Sequence, residues 1–218
     1  ILTKFLKENR WVTIFFGFLY VILQVFLEGT GLWFDNATLP FLLLAFIFWL
    51  NFKDKKLQKN IIFSALFLGV AFIFKQTAIW FILFLTLDLL TKRKWKQSVL
   101  FAICSGIPFL LLLILFNPVD VWYWDIYYPF WVMSKSPGYL LPPTLKQAFT
   151  TIFIISPLTF ILIKRDQKLI DISLWLLAAF LFFVPRFAYF HLQPAIPFLV
   201  ICLSLIFENV PPRIRMPV

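Results

Sequence analysis

Lys75 lies in the middle of a long apolar stretch of the chain. "NIIFSALFLGVAFIF" precedes it and, after Gln76 and Thr77, "AIWFILFLTLDLL" follows it. A lysine at the centre of a bilayer costs about 2.5–3.5 kcal/mol even on insertion scales. Such a residue is either a functional cation or a side chain that snorkels to the lipid headgroups, and the sequence leaves both explanations open.

Other polar side chains lie at the borders of apolar blocks. "EGTGLWFDNATLP" contains Glu28 and Asp35, and "PRFAYFHLQP" contains Arg186, Tyr189 and the only histidine, His191. Carboxylates suit sugar hydroxyls or proton transfer, and a guanidinium suits phosphate oxygens. Asp35 also precedes an apolar run, where it could simply cap a helix, and a lone histidine is often structural. No metal-ligand spacing or phosphate-binding glycine motif is present, so we predict no cofactor and no metal-ligating residues, and the sequence leaves dependence on a divalent metal open.

The composition indicates an integral membrane protein. Hydrophobic residues make up 62% of the 218 positions and charged residues only 14%, whereas soluble domains contain about 45–50% and about 25%. The net charge of +10 does not indicate nucleic-acid binding, because the basic residues cluster between apolar blocks. Cys104 and Cys202 lie inside such blocks and predict neither a disulfide nor a metal site.

The apolar blocks predict an all-α transmembrane bundle of about eight spans, forming one domain over 1–218. The predicted spans are approximately 11–27, 37–52, 60–74, 76–90, 97–116, 147–163, 169–185 and 193–207. When the connectors alternate between two sides, one side receives all of the 20 basic residues except Lys75, Lys135, Lys146 and Arg186. The positive-inside rule then places both termini in the cytoplasm. This predicts a multi-pass protein, in the plasma membrane if the source is bacterial.

The lengths of the apolar blocks and the positions of the basic segments also predict a chain reversal at Lys75. One helix over 60–90 would be about 46 Å long, against a hydrocarbon core of about 30 Å. It would also put the basic segments "KDKK" and "KRKWK" on opposite sides of the membrane. Two short helices that turn at Lys75 avoid both problems and place the lysine on the external side.

The external loop 117–146 is rich in tryptophan and tyrosine, including "VWYWDIYYPFW". Such rings favour the headgroup region, so we expect this loop to lie along the outer leaflet. It is either a platform for a lipid substrate or an aromatic belt that anchors the protein.

Two stretches resemble a known family. "GLWFDNATLPFLLLAFIFWL", followed by a basic connector and "ALFLGVAFIFKQTA", is similar to the membrane part of GT-C glycosyltransferases. The nearest branch is that of the dolichyl-phosphate-mannose protein mannosyltransferases and the bacterial aminoarabinose transferase. "AYFHLQPAIP" is similar to a turn before a late span of that branch. The resemblance covers roughly 28–207.

The resemblance implies sugar transfer from a polyprenyl-phosphate donor to a lipid, glycan or protein acceptor on the non-cytoplasmic face. It makes Lys75 a ligand of the donor phosphate, assisted by Arg186 and by Tyr189 or His191. Asp35 matches an acidic residue of the family and is expected to be catalytic. Glu28 would substitute for the principal catalytic acid, which the family carries in an earlier external loop. We expect instead that this loop precedes Ile1 and that the sequence is a fragment. A transporter or lipid-handling protein with an external polar site is the alternative.

Overall fold

A computed structural model describes residues 10–26, 34–137, 139, 143–164, 167–184 and 187–209. These residues are almost entirely helical and contain no strand, so the all-α prediction is confirmed for them. The main helices are α1 (Arg10–Phe26), α2 (Phe34–Lys55), α3 (Gln58–Phe74), α4 (Ile79–Thr91), α5 (Trp95–Leu115), α6 (Leu145–Ile155), α7 (Pro157–Lys164), α8 (Gln167–Phe180) and α9 (Ala195–Asn209). Between α5 and α6 lie a helical turn, Pro118–Val121, and a π-helical segment, Trp122–Val132.

Each predicted apolar block coincides with helical structure, with one difference. The block 147–163 is not a single helix but two, α6 and α7, which meet at Ser156. Pro157 explains the break, because proline has no backbone N–H and its ring clashes with the carbonyl of the preceding helical turn.

Among the described residues, two helices, α2 and α5, are long and apolar enough to cross a membrane, and the other apolar helices are shorter. Many large apolar side chains are exposed on the bundle surface, including Phe18, Ile114 and Leu115. Extensive exposed apolar surface is uncommon on soluble monomers and is typical of a membrane or protein contact. Eight crossings and cytoplasmic termini remain predictions.

A cluster of ion pairs joins three parts of the bundle at the C-terminal end of α2. Lys53 lies 2.8 Å from Asp88 of α4 and 3.3 Å from Asp171 of α8. Lys92, just after α4, lies 2.6 Å from Asp88 and 3.1 Å from Asp171. The end of α4 and the start of α8 are therefore held beside the end of α2.

A second polar cluster lies at the opposite end of α2, where Lys75 contacts Asp35 at 3.2 Å. At 1.5 Å per residue, Asp35 and Lys53 are about 27 Å apart along the helix. The end of α3 lies beside Asp35, and the end of α4 lies beside Lys53. The chain therefore reverses direction between α3 and α4. The contacts thus agree with the reversal that the sequence predicts at Lys75.

Aromatic rings fill the centre of the bundle between these two clusters. The ring of Trp175 in α8 lies 5.1–5.5 Å from the rings of Phe46, Phe81 and Phe198, and all four side chains are fully buried. These residues come from α2, α4, α8 and α9. The core therefore fixes the helices that carry the residues at both ends.

The helices α3 and α5 approach closely at Gly69. A Cβ atom on Gly69 would lie 2.3 Å from the carbonyl oxygen of Ser105 and 2.8 Å from the ring of Pro108. Backbone and a proline ring cannot move aside cheaply, so a side chain at position 69 would force the two helices apart.

We therefore predict that Gly69→Val lowers the unfolding free energy by about 1–3 kcal/mol, the usual cost of overpacking. Thermal or denaturant unfolding in detergent micelles would measure it. Gly106→Ala is the matched control, because a Cβ there meets no atom within 4 Å; it should be neutral or stabilise the helix by up to about 1 kcal/mol. Equal stability of the two variants would contradict the close packing at Gly69.

Candidate functional site

Asp35, Lys75 and His191 form a compact triad at the end of the bundle opposite the Lys53 cluster. The Nζ atom of Lys75 lies 3.2 Å from Oδ2 of Asp35, and Nδ1 of His191 lies 3.1 Å from Oδ1. The third side of the triangle, from Nζ of Lys75 to Nδ1 of His191, measures 3.4 Å. Each carboxylate oxygen of Asp35 thus has its own partner.

Each member of the triad comes from a different local structure. Asp35 is in the first turn of α2, where a negative charge is stabilised by the helix dipole. Lys75 is a single extended residue between α3 and the short 3₁₀ turn Gln76–Ala78. His191 belongs to the 3₁₀ turn Tyr189–Leu192, which leads into α9. These residues are far apart in sequence. They meet because the start of α2, the end of α3 and the start of α9 lie at the same end of the bundle.

The contacts of Asp35 and Lys75 argue against two of the structural interpretations that the sequence left open. The Asp35 carboxylate bonds to Lys75 and His191 rather than to a backbone N–H of α2, so it is not an N-cap. The Lys75 side chain is only 21% exposed, and its ammonium group is paired inside the bundle. The Nζ atom of Lys75 therefore points towards Asp35 and His191 and not outward from the bundle.

The triad has hydrogen-bonding capacity left for a ligand. An ammonium group has three N–H donors, and two suffice for Asp35 and His191. The Nδ1 atom of His191 donates to Asp35 when it carries a proton and accepts from Lys75 when it does not. With His191 protonated, the triad has two positive charges and one negative charge.

A cavity of about 520 Å³ opens onto the triad. This volume lies within the range of about 300–1,000 Å³ that is usual for ligand sites. All three triad residues line it, as do Gln76 and Thr77. The hydroxyl oxygen of Thr77 is buried and has no hydrogen-bond partner among the described residues, so it can serve a bound molecule.

Another part of the cavity lining belongs to the π-helical segment Trp122–Val132 and the residues just after it. Asp125, Pro129, Phe130 and Met133 line the cavity from this side. Asp125 is half-buried and has no ion-pair or hydrogen-bond partner in the described part of the chain. Burial raises the pKa of this carboxyl above its ordinary value.

Among the other predicted site residues, Tyr189 is described and is not part of the triad. The ring of Tyr189 packs against Phe187 and lies under Nζ of Lys146, at 5.8 Å. Its hydroxyl oxygen is buried without a partner among the described residues and is not part of the cavity lining. Glu28 and Arg186 lie outside the described residues. The catalytic role of Glu28 and the substrate-binding roles of Arg186 and Tyr189 stay predictions.

Sequence reasoning overlooked Asp125. The residue lies in "WYWDIYYPFW", where the density of rings indicated a membrane-surface segment, and a single acid among them carried no spacing signal. The one available hint was that an acid is unusual among so many aromatic residues.

Comparisons of the chain with protein-family models, with curated proteins and with solved structures each find no match. The function is therefore inferred from the geometry of the site.

The triad predicts an asymmetry between removing its cation and removing its anion. Lys75→Met leaves the Asp35 carboxylate, whose side chain is only 2% exposed, without its ion-pair partner inside the bundle. Breaking a buried pair in this way typically costs about 3–5 kcal/mol. Asp35→Asn should cost less, because the ammonium group of Lys75 adjoins the cavity and can be hydrated.

The double variant Lys75→Met with Asp35→Asn should be more stable than Lys75→Met alone. Unfolding of the two single variants and the double variant in detergent gives the coupling energy directly. Additive losses would show that the two residues do not interact in the folded protein.

Proposed function

We propose that the protein is a membrane glycosyltransferase that moves a sugar from a polyprenyl-phosphate donor to an acceptor on the non-cytoplasmic face. The observation that carries the proposal is the ammonium group of Lys75, held by Asp35 and His191 beside a cavity in an apolar bundle. The acceptor is a lipid, a glycan or a protein.

The triad suits a phosphate that is joined to a lipid. Positively charged hydrogen-bond donors bind phosphate oxygens strongly, and more so where water is partly excluded. As the sugar leaves, negative charge grows on the phosphate, and a cation already in place stabilises it. Asp35 holds Lys75 and His191 in position, so little reorganisation is needed when the reaction occurs.

The position of the triad also suits a donor with a lipid tail. The two polar clusters are about 27 Å apart along α2, close to the hydrocarbon thickness of about 30 Å. The Lys53 cluster adjoins the basic connectors, which the positive-inside rule assigns to the cytoplasm. On this basis the triad lies near the external surface of a multi-pass bundle, where a headgroup phosphate would be.

A transporter is less consistent with the geometry. Transporters bind substrate near the middle of the membrane, between broken helices that occur in related pairs. Here the break at Lys75 lies beside the first turn of α2, at the end of the bundle.

We predict that the purified protein binds a polyprenyl phosphate at least about tenfold more tightly than the uncharged polyprenol of the same length. A tenfold ratio corresponds to about 1.4 kcal/mol. Quenching of the tryptophan fluorescence would report binding, since the chain has nine tryptophans. The double variant Lys75→Met with Asp35→Asn should lose the preference for phosphate and still bind the lipid.

The matched control for that measurement is Lys135→Met, which removes an exposed lysine on the same side of the protein. It should retain the wild-type preference. Equal binding of phosphate and alcohol by the wild type would contradict the proposed donor.

The proposed orientation predicts which positions can be labelled from each side of the membrane. Cysteines placed at Lys55 and Lys94 should react with an impermeant maleimide only from the cytoplasmic side. Ser136→Cys, beyond the π-helical segment, should react only from outside. The native Cys104 and Cys202 are buried and provide an unreactive background. Labelling of positions 55 and 136 from the same side would overturn the orientation.

A further inference from the structure

The cavity contains two carboxylates in different environments. Asp35 is buried and bonded through both oxygens to Lys75 and His191. Asp125 lines the same cavity, is half-buried, and has no partner in the described part of the chain. Two acids in one cavity with such different surroundings are suited to different tasks.

Asp35 is poorly placed to accept a proton during a reaction. Both of its carboxylate oxygens are already bonded, one to Lys75 and one to His191, and protonation would break the ion pair with Lys75. Asp35 therefore fits the role of a positioning residue.

We propose that Asp125 accepts the proton from the acceptor hydroxyl, an inference that rests on the proposed glycosyl transfer. The acceptor oxygen forms a bond to the anomeric carbon while the bond from that carbon to the phosphate oxygen breaks. The proton of the hydroxyl passes to the carboxylate of Asp125, and the bonding electrons leave with the polyprenyl phosphate beside Lys75. The acceptor in this reaction is a molecule with a free hydroxyl group, and the general base and the cation line the same cavity.

The segment that carries Asp125 is built to present one face to the cavity. Residues 125, 129, 130 and 133 all line it, and steps of four and five residues return to the same face of a π-helical turn. The backbone N–H of Met133 bonds to the carbonyl of Tyr128, a spacing of five residues. Segments of π-helix occur frequently at functional sites.

The raised pKa of Asp125 supports the same role. A carboxylate that binds protons more tightly than an ordinary aspartate is a stronger general base, provided that it remains ionised at the working pH. Transfer should therefore increase as the pH rises through this raised pKa and then level off. Lys75, His191, Asp35 and Tyr139 also line the cavity, and Asp120 lies in the helical turn before Asp125. The assignment therefore needs variants as well as a pH profile.

Asp125→Asn should lower transfer by about 100-fold or more, the usual contribution of a general base. The assay uses polyprenyl-phosphate sugars as donors and native membranes as the source of acceptor. Binding of polyprenyl phosphate without sugar should change less than about twofold, because Asp125 does not contact the phosphate in this scheme. Asp120→Asn is the matched control, since Asp120 is an exposed acid in the preceding turn; its transfer should stay within about twofold of wild type.

A labelling experiment tests Asp125 without relying on transfer. Dicyclohexylcarbodiimide modifies protonated carboxyl groups in apolar surroundings, so it should label Asp125 at mildly acidic pH and spare the ion-paired Asp35. Peptide mass spectrometry locates the label.

The outcomes separate this inference from the proposed function. Phosphate-dependent binding with undiminished transfer by Asp125→Asn would overturn the role of Asp125 alone. A parallel loss of binding and transfer would assign Asp125 a structural role and would also overturn the inference, as would labelling of Asp35 in place of Asp125. Failure of the wild type to prefer the phosphate would instead overturn the donor assignment.

Discussion

A charged group inside an apolar bundle has to be paired, and this requirement decides where the chain reverses. Lys75 directly follows the apolar helix α3, and its ammonium group is paired with Asp35 in the first turn of α2. The chain turns where this partner is available. At the other end of α2, the ammonium group of Lys53 is paired with Asp88 and Asp171. Between these two ends the helices contact one another mainly through apolar and aromatic side chains. Such contacts pack well but do not determine which end of each helix lies beside which end of α2. The ion pairs determine this orientation.

Stability alone does not account for the Asp35–Lys75 pair. Replacing a buried ion pair with apolar side chains of similar size is often neutral or stabilising, because neither charge then has to be removed from water. The Lys53 cluster has an evident architectural role, since it joins three elements beside basic connectors. The triad instead adjoins a cavity, with a spare lysine donor and the buried hydroxyl of Thr77 beside it. A costly pair at the border of a cavity is better explained by a ligand than by folding.

Much of this arrangement could be predicted from the sequence because charge and hydropathy decide it. The lengths of the apolar blocks and the alternation of basic connectors predicted the helices and the reversal at Lys75. The same alternation placed Asp35, Lys75 and His191 at one end, although their mutual contacts at 3.1–3.4 Å required the structure. Hydropathy could not show the break at Pro157, because both sides of it are equally apolar. It could not show that Asp125 faces a cavity either, since a π-helical turn leaves no distinctive period in a segment crowded with rings.

The two walls of the cavity differ in how they are held, and this difference bears on how a large substrate could enter. Lys75 and Asp35 are fixed by helices whose side chains form the buried aromatic core. By contrast, no side chain of the segment Trp122–Val132 is buried, and its rings, including Trp124 and Trp131, are exposed. A segment with few buried contacts opens at lower cost than a core helix, and exposed tryptophans suit the headgroup region. The position of Asp125 relative to the cation therefore depends on the membrane surface as well as on the fold. In the proposed transfer, Lys75 is fixed and Asp125 is held more weakly. This difference would let a lipid-linked sugar enter the cavity before the acceptor hydroxyl contacts Asp125.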